Sequence, residues 1–204
     1  MLVAISGSQG SGKSTIIQKI QDLGYPIIDR KTSRSILSDW GVTLQEVNND
    51  SDLTIRFQNE ITKRKYSDER DAAMDQNTLY FTERTHADLF AYALVSLGKD
   101  NSYSEYLNEY YKTCMKYNQL YVGVYYLRAG RFNVQHDGTR GSNMHYSRMV
   151  DLTMLDITQQ MVHSSKLTII ETPDLEQRVN MITLQSQSSL PISASFDPIE
   201  YFKS

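Results

Sequence analysis

Gly7-Ser8-Gln9-Gly10-Ser11-Gly12-Lys13-Ser14-Thr15 is the stretch on which the fold turns. It satisfies the spacing of a phosphate-binding loop: Gly, four residues, Gly-Lys, then Ser or Thr. Its context agrees. Residues 2–6, Leu-Val-Ala-Ile-Ser, form an apolar run suited to a buried parallel strand, and Ile16, Ile17, Ile20 and Leu23 follow at helical spacing. In such a loop the backbone N–H groups converge on phosphate oxygens at a helix N-terminus, whose dipole also favours anions. Glycine at 7, 10 and 12 leaves room for that approach, and Ser11 and Thr15 belong to the same cradle. Lys13 is expected to neutralise charge between the β- and γ-phosphates, and Ser14 to ligate Mg²⁺ through its hydroxyl. The pattern predicts binding of ATP with Mg²⁺.

Further along, apolar runs alternate with helical periodicity. Tyr25-Pro26-Ile27-Ile28-Asp29 reads as a second strand, 78–82 as a third, 120–127 as a fourth and 166–171 as a fifth. Helices are expected between them, among them 53–70 with Leu53, Phe57 and Ile61 inward and charges outward. Thr85 with Asp88 has the spacing of a capping box, and Thr172 before Pro173 looks like a helix cap. The 103–117 helix carries Tyr103, Leu107, Tyr110, Cys114 and Tyr117 on one stripe, which reads as core, with Cys114 inert. Five strands alternating with helices predict an α/β three-layer sandwich, a five-stranded parallel sheet with helices on both faces. The domain is expected to span 1–184, and 185–204, rich in Ser and Gln, to be an extension of it.

The 204-residue length suits one domain, and 40% hydrophobic against 22% charged residues excludes a wholly disordered chain. No apolar run approaches the roughly 20 residues of a membrane span, and the opening Met-Leu-Val-Ala-Ile-Ser lacks the basic segment of a signal peptide. A single cysteine fits a reducing, cytoplasmic setting. Net charge of −3 speaks against bulk adsorption to nucleic acid.

In a parallel sheet, ligands bind outside the carboxyl ends of the strands. Asp29, Glu83 and Arg128 fall at such ends, beside the loop. Asp29 is the candidate general base for an attacking hydroxyl; pairing with Arg30 or capping the next helix is the alternative. Glu83 is a candidate to orient Mg²⁺ through water, and Arg84 to hold an acceptor's phosphate or polar edge. Residues 128–146 read as a lid, with glycines at 130, 138 and 141 as hinges. Within it Arg140 is expected to stabilise the transferring phosphoryl group and Arg131 to grip the nucleotide.

Gly7–Thr15, the pair Glu83-Arg84 before a helix, and Asp137-Gly138-Thr139-Arg140 together resemble the AAA-type P-loop domains related to ribosylnicotinamide kinases. The resemblance covers roughly residues 1–182 and implies a nucleotide-contacting arginine at Arg178. Thr82-Glu83-Arg84-Thr85 also resembles the acidic-Arg-Ser/Thr box of deoxynucleoside and thymidylate kinases, and the short Asn- and Tyr-rich chain is similar to small kinases encoded by bacteriophages. One departure is Asp29, where these kinases more usually carry Glu. The Tyr-rich region 103–126 matches none of their motifs and is expected to line an acceptor pocket. These features imply a phosphotransferase moving the γ-phosphoryl group of ATP to a nucleoside or nucleotide. A kinase acting on a hydroxymethylated pyrimidine base within DNA is the first alternative, and an ATP-hydrolysing switch module the second. Oligomeric state is left open, a homodimer included.

Overall fold

The structure is a computed structural model and describes residues 1–28, 32–128 and 144–188. Four parallel strands form one sheet: β1 (Leu2–Ser6), β2 (Tyr80–Glu83), β3 (Tyr121–Leu127) and β4 (Leu167–Ile170), in the order β2-β1-β3-β4. The central β1 is buried at every residue, as an apolar run between two helical layers must be. Its side chains alternate. Val3 and Ile5 pack with Ile16, Ile20, Val179 and Ile182, whereas Leu2 and Ala4 face Ala72, Tyr121, Val124 and Val162. The first set belongs to α1 (Lys13–Asp22) and α8 (Leu175–Gln187). The opposite layer is built from α4 (Ser51–Met74), α5 (His86–Leu97), α6 (Ser104–Tyr117) and α7 (Met144–Met161), with α2 (Thr32–Trp40) and α3 (Leu44–Asn49) flanking α4.

Among the described residues the sheet therefore has four strands where five were expected. The run at 25–28 lies against the β2 edge but makes only one parallel bridge, Ile27 to Phe81. Ile28 N–H donates to the Phe81 carbonyl at 2.8 Å, and Phe81 N–H to the Pro26 carbonyl at 3.0 Å. Pro26 has no N–H with which to extend the ladder, so the segment pairs without becoming a strand. A second correction concerns α8. Its cap is Asp174, which accepts from Gln177 N–H at 2.7 Å, and Thr172 instead donates its hydroxyl to Gln177 Oε1 at 2.8 Å. The Thr85–Asp88 capping box is present as expected. On α6, Leu107, Tyr110 and Cys114 are core, and burial pushes the Cys114 thiol up to about 12. Among the described residues no helix is long and apolar enough to cross a membrane.

Candidate active site

The loop between β1 and α1 turns on glycines that no other residue could replace without strain. Gly7 has φ +132°, and a Cβ there would sit 2.4 Å from the Leu127 carbonyl oxygen of the neighbouring strand. Gly12, at φ 90°, opens α1 in the left-handed region. Lys13 begins the helix and is almost completely buried, 4% exposed. Its ammonium donates to the Ser8 carbonyl at 2.7 Å and to Ser11 Oγ at 3.4 Å. Ser14 and Thr15 stand exposed in the first turn of α1, and Ser11 is buried beneath them.

Two buried carboxylates hold this loop from outside it. Asp88, on α5, accepts from Ser6 Oγ at 2.5 Å while closing the capping box with Thr85. Asp151, on α7, accepts from Ser8 Oγ at 2.9 Å and from the Tyr126 hydroxyl at 3.0 Å, with an Arg128 guanidinium nitrogen 3.9 Å away. Burial beside Asp151 pushes the Tyr126 hydroxyl well up, so it stays a donor. Arg178 is buried as well and supports the loop from α8. Its Nε donates to the Thr172 carbonyl at 2.5 Å and its Nη1 to the Ser11 carbonyl at 2.9 Å. In this position it braces the backbone of the loop.

Glu83 and Arg84 leave the carboxyl end of β2, where Ile5 and Glu83 are in register. Both are half-buried. Arg84 has φ +70°, the one positive value at a non-glycine among the described residues. Its guanidinium donates to the Tyr92 hydroxyl at 3.2 Å and lies over that ring at 5.1 Å. It also acts on the loop. Burial first, and the Arg84 charge second, bring the Lys13 ammonium down to about 7, against the pull of Glu83, Asp88 and Asp151. The two cations thus lie near enough for the charge of one to act on the other.

Lys13, Glu83, Arg84 and the glycine loop meet at one rim, and Arg178 reaches it from below. Asp29, Arg131 and Arg140 lie outside the described residues, as does most of the expected lid; residues 144–146 open α7. The sequence reading missed Asp151 and the Ser6 contact of Asp88. It also missed Lys65, whose Nζ donates to the Arg84 carbonyl at 2.9 Å. Three tyrosines of the 103–126 region are engaged in the interior. Tyr110, Tyr121 and Tyr126 are buried, with hydroxyls bonded to Gln58, Glu69 and Asp151 in turn.

The donor set fits a magnesium-bound polyphosphate. Backbone N–H groups, Lys13 and Arg84 supply positive charge, and the hydroxyl of Ser14 and the carboxylate of Glu83 are hard oxygen donors of the kind Mg²⁺ prefers.

The sequence pattern of an AAA domain family matches residues 2–178. By fold the chain is similar to deoxyadenosine kinase from M. mycoides with bound dATP, at TM-score 0.68 and 17% identity over 92% of this chain and 100% of that one. It is similar also to NadR protein in complex with NR, at TM-score 0.68 and 11% identity over 93% of this chain and 52% of that one. It thus spans about half the length of NadR. No curated protein matches it by sequence. At these identities the two structures speak to fold alone. The family pattern, however, runs from β1 through the phosphate loop and both carboxylate helices into α8, and on that match the chain belongs to the AAA domain family of P-loop proteins.

Proposed function

We propose that this protein is a kinase that transfers the γ-phosphoryl group of ATP to a nucleoside or nucleotide. The observation that carries the reading is the glycine loop itself, with Lys13 buried and bonded within it and Arg84 fastened at its root through the N–H that donates to the Ile5 carbonyl at 2.8 Å. A buried ammonium with a second, half-buried cation beside it is costly unless an anion of high charge completes the site. The fold supports the same reading, being that of a deoxyadenosine kinase whose structures hold dATP or dCMP.

In this reading the loop N–H groups and Lys13 bind the β- and γ-phosphates, and Arg84 faces the transferring group or an acceptor phosphate. Ser14 and Glu83 would hold Mg²⁺, Glu83 through water; the ion supplies charge neutralisation across the phosphates. Asp29 follows Ile28, whose backbone is fastened to Phe81 beside the rim, and serves as the base that accepts the proton of the attacking hydroxyl. Arg131 and Arg140 grip the nucleotide and stabilise the transferring group. Arg178 holds Ser11, and so the loop, in place.

The test is incubation of purified protein with ATP and Mg²⁺ across a panel of nucleosides, nucleotides and hydroxymethylated DNA. Rapid ADP formation with one small acceptor, and slow hydrolysis without it, supports the reading. Transfer to DNA alone, or fast hydrolysis needing no acceptor, overturns it.

A further inference from the structure

Behind the rim lies a charged pair that the phosphate chemistry does not use. Lys65 and Glu69 stand one turn apart on α4, and both are fully buried. The Lys65 ammonium bonds to Glu69 Oε1 and donates to the Arg84 carbonyl at 2.9 Å. Glu69 accepts from Thr82 Oγ1 at 2.6 Å and from the Tyr121 hydroxyl at 2.8 Å, and His86 Nε2 lies 3.6 Å from Oε2. Lys65 also sits over the Tyr121 ring at 5.6 Å. One ion pair is therefore clamped to β2, β3 and α5.

Where the strut meets the rim, it meets a residue in an uncommon conformation. The Arg84 N–H still donates to the Ile5 carbonyl at 2.8 Å, continuing the β1–β2 ladder. Its φ of +70° then turns the chain, and the carbonyl points back into α4 toward Lys65. A non-glycine residue holds such a conformation only when its surroundings over-determine it. Apolar residues would fill this interior at less electrostatic cost than a buried ion pair, but none of them could offer the Arg84 carbonyl a charged donor.

We propose that Lys65, anchored by Glu69, is a positioning residue that holds Arg84 in its left-handed conformation and so aims its guanidinium at the phosphates. The proposal deepens the kinase reading and rests on it for its kinetic consequence, though its conformational consequence stands apart. Lys65 itself touches neither nucleotide nor acceptor.

Removing Lys65 alone would strand the Glu69 charge in the interior, so the informative variant is Lys65→Met with Glu69→Gln, which deletes both charges. It is expected to fold, with a crystal structure showing Arg84 at negative φ. In transfer assays its kcat should fall roughly tenfold to a hundredfold, the scale of a catalytic group displaced by about an ångström, with KM for ATP within about threefold. In an Arg84→Ala background the same pair of changes should cause no further loss, since the strut acts through Arg84. Were the pair to lower kcat equally with and without Arg84, or were Arg84 to keep its positive φ, the proposal would be wrong. A double variant that does not fold makes the pair a stability element and overturns the positioning role. Wild-type protein that phosphorylates no acceptor refutes the kinase reading, and the Arg84 conformation then decides the strut by itself.

Discussion

Binding of ATP at pH 8 should take up a proton, and Lys13 should be where it goes. Burial and the neighbouring Arg84 bring this ammonium from 10.5 to about 7. At pH 8 a group of that pKa is only about one-tenth protonated. Polyphosphate beside it restores the charged form, so binding should take up about 0.9 of a proton at pH 8, falling to about 0.1 at pH 6. ATP itself is fully ionised at pH 8 and contributes little there. Calorimetric titration in buffers of different ionisation enthalpy measures the uptake directly, and Lys13→Met serves as the control, expected to bind weakly with no uptake. The same displacement acts on folding. Between pH 7 and 10.5 the unfolded chain binds more protons at this position than the folded one, so the stability of the nucleotide-free protein gains from Lys13 as pH rises through that window. At about 1.4 kcal/mol for each pH unit, the full gain is on the order of 5 kcal/mol. Denaturant titrations at pH 6.5 and 9 should reveal that slope in the wild type and its absence in Lys13→Met. Zero proton uptake at pH 8, or equal uptake in the variant, would refute the reasoning.

Asp29→Asn should lower kcat by roughly 10²–10⁴ with ATP affinity preserved, whereas Glu83→Gln should raise the Mg²⁺ concentration needed for half-maximal rate; steady-state kinetics across a magnesium series separates the two. Arg178→Met leaves the Ser11 and Thr172 carbonyls without their donor and should cost about 1–3 kcal/mol for each, read as a lower Tm together with a higher Kd for ATP. Arg178→Lys should recover little of this, because a single ammonium cannot reproduce a fork that spans two carbonyls. Gly7→Ala places a methyl 2.4 Å from the Leu127 carbonyl oxygen and at a φ that alanine resists, so loss of ATP binding and a depressed Tm are expected by calorimetry.

The phosphate loop was legible because its chemistry is local. Strand, glycines, lysine and helix lie within the first 23 residues, and each constrains the next. The capping box at Thr85–Asp88 was legible for the same reason, since a three-residue spacing carries the whole motif. What the sequence concealed involves partners far apart in the chain. Ser8 and Asp151 are 143 residues apart, and Ser11 and Arg178 are 167 apart. The second strand is reduced to a single bridge beside Pro26, which lacks the N–H that would lengthen the ladder on that side. Lys65 and Glu69 left a trace that was passed over. Phe57 and Ile61 mark the inward stripe of α4, and the next positions four residues on are 65 and 69. Opposite charges that continue an apolar stripe at helical spacing indicate a buried pair, because the stripe's direction does not change when its chemistry does.

Around the phosphate loop, charge is arranged in two tiers. Lys13 and Arg84 form the upper tier, where positive charge accumulates with no carboxylate of the described residues bonded to it. Asp88, Asp151 and the Lys65–Glu69 pair form the lower tier, where the carboxylates accept from Ser6, Ser8, Thr82 and Tyr121. Had Asp88 or Asp151 bonded Lys13 directly, the pair would have neutralised itself, and an incoming phosphate would have had to displace a carboxylate. Hydroxyl spacers prevent that. Ser6 and Ser8 each take one carboxylate, and the Lys13 ammonium is left with the Ser8 carbonyl and the Ser11 hydroxyl, neutral acceptors that an anion outcompetes. The acids still favour the charged ammonium from a distance, which keeps it near 7 and lets it titrate in the neutral range. Ser6 and Ser8 are thus insulators between fixed negative charge and the cation that must remain available.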